Sequence, residues 1–206
     1  ATAGRDIVFD RSDNALEFAD NSKAIFGTGA DLEIFHDGNV SRISDEGTGS
    51  LLLQTNGSAI EINKGTTENM IKCFTDGAVE LYHDNTKKIE TASGGVSLTG
   101  GAAANITALS DGSTITIDMA TACHHSVTLG GNRTFAAPSN QVVGQSGSIF
   151  ITQDGTGSRT ASFNSAFKFV GGTAPTLTTG AGLTDRIDYI IFSSNVIHCA
   201  VSLDVK

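Results

Sequence analysis

The sequence predicts an all-β protein in two parts, a repetitive β-rich stalk followed by a β-sandwich or jelly-roll-like domain. Three observations predict it. Gly occurs 24 times and Pro only 2 times in 206 residues, which supplies tight turns while leaving strands unbroken. Apolar and polar residues alternate in Ala59-Ile60-Glu61-Ile62, Val79-Glu80-Leu81-Tyr82 and Thr114-Ile115-Thr116-Ile117. That period of two puts every second side chain on one face of an extended chain. Finally, a unit of strand plus Asp-Gly or Asp-Asn turn recurs through the first hundred residues. Helix is not predicted: the best stretch, Thr66–Cys73, covers barely two turns, which is short for a stable helix.

The repeat is legible residue by residue. Asp20-Asn21-Ser22-Lys23-Ala24-Ile25 matches Asp84-Asn85-Thr86-Lys87-Lys88-Ile89, and Leu32-Glu33-Ile34-Phe35-His36-Asp37-Gly38 matches Val79-Glu80-Leu81-Tyr82-His83-Asp84-Asn85. Leu16-Glu17-Phe18-Ala19-Asp20-Asn21 is a looser third copy. A Gly-x-Val-x-Leu pattern starts at Gly77 and again at Gly94, 17 residues later, the same step that separates Asp20 from Asp37. Asp-Gly and Asp-Asn accept positive φ and so suit a reversal between two strands. Each unit carries only two or three large apolar side chains, and an isolated strand pair is not stable. Stacked units can share a core, and three chains about one axis would triple the apolar content of each layer. The repeat therefore predicts an oligomeric, elongated stalk, built as an interchain β-prism or in a β-helix-like manner.

Gly94-Gly95, Gly100-Gly101 and Ala102-Ala103-Ala104 end the repeat and divide the chain into residues 1–100 and 101–206. Beyond them the Phe residues cluster, at 135, 150, 163, 167, 169 and 192. Strands are predicted at Ser113–Met119, His125–Leu129, Gly147–Thr152, Thr160–Phe163, Arg186–Phe192 and Val196–Leu203, the last two joined as a hairpin by Ser193-Ser194-Asn195. Ile187, Tyr189 and Ile191 form the clearest core stripe. Strands at this spacing with Gly-rich turns fit a sandwich.

Charge and cysteine content exclude several function classes. Thirteen Lys+Arg against 22 Asp+Glu give a net charge of −9, which repels phosphate backbones and argues against nucleic acid as a partner. No apolar run is long enough to insert into a membrane, and no secretory signal is apparent. Three cysteines, Cys73, Cys123 and Cys199, do not make a disulfide framework and read as buried free thiols.

No cofactor, metal or catalytic constellation is predicted. His36 and His83 occupy equivalent turns and could ring a three-fold axis about a metal, but no His-x-His spacing supports it, and turn residues are the expected role. Polysaccharide hydrolysis needs two carboxylates flanking a sugar. Asp111, Asp118, Asp154, Asp185, Asp188 and Asp204 all fall in turn or strand-edge contexts, and there is no Trp to stack on a sugar ring. Gly27-Thr28-Gly29 and Gly155-Thr156-Gly157 lack the Lys-Ser/Thr and helix of a phosphate loop.

The block from Asp76 to Thr91, DGAVELYHDNTKKIET, resembles tail-fibre and related structural proteins of marine bacteriophages, including those that infect cyanobacteria. So does Asp31-Leu32-Glu33-Ile34-Phe35-His36-Asp37-Gly38. Residues 127–134 and 144–157 look like a domain at the C-terminal end of such proteins. The resemblance implies a homotrimer in the virion, assembled in the host cytoplasm beside other virion proteins, and adhesion to a host cell-surface glycan or protein. It carries no receptor-contact residues with it. Polar and Gly residues cluster in two loops of the back half, and Gln153, Asp154, Thr156, Arg159, Thr173 and Thr178 are the candidate contacts there. A capsid-decoration or filament protein without a receptor is the alternative, and a polysaccharide depolymerase is the third.

Overall fold

A computed structural model describes residues 6–206. The chain divides into two compact units, one ending at Gly100 and one running Gly101–Lys206. Apart from a single 3-10 turn at Val170–Gly172, all regular structure among the described residues is β.

The front unit consists of three separate antiparallel sheets. β1 (Ile7–Asp10) and β2 (Ala15–Phe18) form a hairpin. β3 (Ala24–Phe26), β4 (Leu32–His36) and β5 (Ser41–Asp45) form a three-stranded meander. β6 (Ala59–Lys64), β7 (Glu68–Phe74), β8 (Val79–His83), β9 (Thr86–Ala92) and β10 (Gly95–Leu98) form a five-stranded one. The segment weighed for helix lies largely in strand β7, because its alternation is completed by its partners in β6 and β8. The repeated Asp turns are the reversals. Asp84 and Asn85 both take positive φ (46° and 59°), as a two-residue hairpin requires. The Asn85 side chain also ties this turn to the β6–β7 turn, accepting from the Asn69 N–H (2.9 Å) and donating to the Thr67 carbonyl (2.7 Å). Within the chain, then, the front strands are meanders of sequence neighbours and do not wind as a β-helix.

The back unit does wind. β11 (Ile106–Ala108), β13 (His124–Leu129) and β15 (Ser146–Gln153) pair in parallel in one sheet. β12 (Thr114–Ile115), β14 (Arg133–Phe135) and β16 (Ala161–Phe163), which alternate with them in sequence, pair in parallel in a second. Each circuit thus lays one strand in each sheet. β17 (Phe167–Phe169), β18 (Thr184–Ser193) and β19 (Val196–Ser202) complete the larger, six-stranded sheet, with β18 and β19 joined as the hairpin the sequence predicts. The jelly-roll-like connectivity is corrected: a jelly roll is antiparallel, whereas five strand pairs here are parallel. Alternation tells which face a residue occupies. It carries no information on which way the neighbouring strand runs.

One core fills the space between the two sheets. Ile115 and Phe135 meet Val127, Leu129, Ile149, Ile151, Ile187, Tyr189, Ile191 and Ile197. Phe135 stacks on Phe163 at 5.0 Å, and Phe167 and Phe169 meet Phe163 edge-on, arrangements that add to the burial itself. Gly147 marks the tightest approach. A Cβ there would lie 1.6 Å from the Cys123 carbonyl oxygen, beside the Tyr189 hydroxyl that hydrogen-bonds to that same oxygen at 2.8 Å.

Candidate assembly interface

In the front unit the registers align what the alternation segregates. In the five-stranded sheet Ile62 lies opposite Ile71, Ile71 opposite Leu81, Leu81 opposite Ile89, and Ile89 opposite Leu98. This is one apolar row across all five strands. A second row on the same face includes Ile60, Cys73 and Val79, with Thr91 and Val96 on the far strands. The opposite face carries self-paired charges beside exposed Met70 and Phe74. Lys72 meets Glu61 at 3.6 Å, Lys87 bridges Glu80 (3.0 Å) and Glu90, and the Tyr82 hydroxyl donates to Glu80. These bonds raise the Lys87 pKa and, led by the Tyr82 hydroxyl, lower that of Glu80.

The smaller sheets repeat the division. Ile7, Phe9, Leu16 and Phe18 share one face of the β1–β2 hairpin. Ala24, Phe26, Leu32, Ile34 and Ile43 share one face of the β3–β5 meander. Lys23, paired with Glu33 at 2.6 Å, lies over the Phe35 ring of the other face.

Among the described residues of the front unit, nothing buries these apolar faces. Among the described residues no apolar side chain before Ile115 is buried, and Ser22 is the one buried residue of the front unit. Phe9 is 62% exposed, Ile43 59%, Leu98 51% and Ile62 50%. Isolated exposed apolar residues are ordinary, but contiguous rows of this kind mark an interface. Full burial of a half-exposed Ile or Leu contributes about 1 kcal/mol, so the long row alone contributes on the order of 5 kcal/mol per chain. That is comparable to the whole net stability of a small domain.

Four of the six residues predicted from sequence as contacts are engaged within the back unit. Gln153 is buried, and its amide is used on the main chain of Arg159, donating to the carbonyl (2.9 Å) and accepting from the N–H (2.8 Å). Asp154 accepts from the Thr156 and Gly157 N–H groups and from the Arg159 guanidinium, at 3.1 and 2.8 Å. Arg159, first, and these N–H groups hold the Asp154 carboxyl down at about 2. Thr178 donates to the buried Asp185 from both its hydroxyl (2.6 Å) and its N–H (2.7 Å). Of the six, Thr156 and Thr173 are exposed.

The chain matches no protein-family model, no curated protein and no solved structure.

Three further carboxylates of the back unit are also engaged. Asp111 pairs with Arg133 (2.7 and 2.5 Å), Asp118 accepts from Asn140 (2.9 Å), and Asp188 accepts from Ser148 (2.7 Å) and Arg186 (3.0 Å). Arg133 and Asn140, respectively, hold the Asp111 and Asp118 carboxyls below their ordinary range. His36 hydrogen-bonds to Ser41 (3.0 Å) and His83 lies 3.8 Å from Asp84, both exposed at turns. The three cysteines are free, with Cys199 buried and its thiol pushed up to about 11 by that burial. A cluster that sequence reading passed over is Asp10, Asp13 and Glu17 at the β1–β2 turn, whose carboxylate oxygens lie within 4.8 Å of one another. The aligned apolar rows were passed over too. Their signal was present in the alternation combined with turn length, since hairpin turns set register.

Proposed function

We propose that the chain is a structural, non-enzymatic fibre protein that assembles as a homotrimer, its front units burying their apolar sheet faces against two further copies. One observation carries the reading: the described residues of the front unit, rich in strands, keep no apolar core of their own while each sheet presents one apolar face. A second copy is the fitting occupant because the rows consist of Ile, Leu, Val and Phe, which meet their own kind well. The charged groups of the opposite face of the five-stranded sheet are self-paired and remain for solvent. Three copies, rather than two, follow from the resemblance of residues 76–91 to phage tail-fibre proteins and from the thin apolar content of each repeat.

On this reading the protein is a virion appendage, a tail fibre, put together in the host cytoplasm and joined to other virion proteins. The back unit, which has its own core, presents loops to a host-surface glycan or protein. Three copies multiply weak contacts through avidity. The engaged carboxylates of the back unit speak for scaffolding, since a general acid for glycoside cleavage needs a raised pKa and the shifts at Asp111, Asp118 and Asp154 are all downward. Sedimentation equilibrium is the test of assembly. A mass of three times 21.2 kDa is expected, and a monodisperse monomer overturns the proposal. Binding of the fluorescently labelled full chain to candidate host cells tests the adhesive part.

A further inference from the structure

His125 stands where the packing calls for an aliphatic residue. Strand β13 alternates, sending His125, Val127 and Leu129 into the core and His124, Ser126 and Thr128 the other way. In the parallel sheet His125 lies between Thr107 of β11 and Ile149 of β15. Its ring is fully buried, at 0% exposure, and neither ring nitrogen has a hydrogen-bonding partner in the protein. An imidazole kept in such a place is neutral, because a buried cation without a partner is costly.

Its surroundings offer little to hold a proton. Thr107 and Ile149 carry no charge. On its own strand His124 would repel an imidazolium. Asp118, before the strand, is the one carboxylate that acts on it, and its Oδ1 already accepts from Asn140 and the Ala120 N–H. Burial lowers the His125 pKa; the nearby Ala122 carbonyl acts the other way but falls short of hydrogen-bond geometry, and burial outweighs it.

We propose that His125 is a built-in acid sensor that makes the back unit loosen in mildly acidic solution, at a pH well above that at which its aspartate pairs fail. The sign follows from linkage. The unfolded chain binds the His125 proton at an ordinary histidine pKa of about 6.5, while the folded chain resists it. Stability is therefore fully present above about pH 7 and declines as pH falls below about 6.5. The aspartates with lowered pKa values lose their contribution only further down, below about pH 4. Protonation strikes where β13 joins the Cys123–Tyr189–Gly147 contact, so loosening begins at the β13–β15 pairing.

The test is thermal unfolding of the full chain from pH 8 to 5, followed by circular dichroism, for the wild type and for His125→Phe and His125→Gln. In the wild type the transition of the back unit falls by about 5 °C or more between pH 7.5 and 5.5, and in a folded His125→Phe protein that fall disappears. Imidazole proton resonances of the wild type give a reading that needs no variant. His125 should stay neutral at pH 5.5, about one unit below the ordinary histidine value. A His125 that is already protonated at pH 5.5, or a fall of equal size in folded His125→Phe or His125→Gln, overturns the proposal.

Discussion

The front and back units use the same turn and reach opposite ends. Asp37-Gly38-Asn39-Val40-Ser41-Arg42 and Asp154-Gly155-Thr156-Gly157-Ser158-Arg159 share the pattern Asp-Gly-x-x-Ser-Arg. In both, the aspartate accepts from the N–H groups two and three residues on and from the arginine five residues on. In both, these partners lower the aspartate pKa. Yet the first turn joins two strands of one meander, β4 and β5, while the second passes the chain from β15 in one sheet to β16 in the other. A meander of sequence neighbours makes a sheet with one face uncovered. A chain that crosses to a second sheet on every circuit brings two apolar faces together and encloses them. Local turn chemistry is therefore no guide to whether a unit can stand alone. What matters is whether the chain returns to cover its own apolar face.

The largest effect should come from breaking the long apolar row of the front unit. Leu81→Asp places a charge at its centre and should abolish assembly. The sedimentation mass should fall from three times 21.2 kDa to 21.2 kDa, with the melting of the back unit unchanged. Retention of the assembled mass would show that this face is not the one that joins the copies. The converse change is Phe135→Ala, which removes the ring stacked on Phe163 in the back core. It should cost about 3–5 kcal/mol in urea unfolding of the back unit and leave the assembled mass intact.

A smaller loss, about 1–3 kcal/mol, is expected for Gln153→Ala, which leaves the Arg159 main-chain groups unsatisfied. Urea unfolding measures it, and a neutral result would return Gln153 to the pool of side chains free for recognition. The smallest effect concerns the shared turn. The Asp154 carboxyl is held down at about 2 from an ordinary 3.8. Its contribution is present above pH 3.8, and it is lost as the pH falls toward 2. A carboxyl resonance that titrates near pH 2, absent in Asp154→Asn, is the expected signature. An ordinary midpoint would mean that the Arg159 pairing does not persist in solution.

Much of this was legible without coordinates. The strands at His125–Leu129, Arg186–Phe192 and Val196–Leu203 are present to within a few residues, because alternation and turn residues act locally. The hairpin at Ser193-Ser194-Asn195 and the core stripe Ile187, Tyr189, Ile191 are there for the same reason. The internal engagement of four candidate contacts was not legible in this way. A loop rich in Gly, Asp and Thr looks free in sequence, and only the fold shows that Gln153 is turned inward, that Asp154 and Arg159 hold each other, and that Thr178 is bound to Asp185.

By itself the sequence determined the β character, the turn positions, and the two-sided nature of each strand, all of which follow from contacts a few residues long. Tertiary structure decided which strands run parallel, that rows from five strands align into one apolar ladder, and that one histidine lies fully buried. Those outcomes depend on which segments meet across tens of residues, and a period of two is the same whichever neighbour lies alongside. The shared Asp turn shows the boundary: its hydrogen bonds are written in six residues, and its place in a covered or uncovered sheet is not.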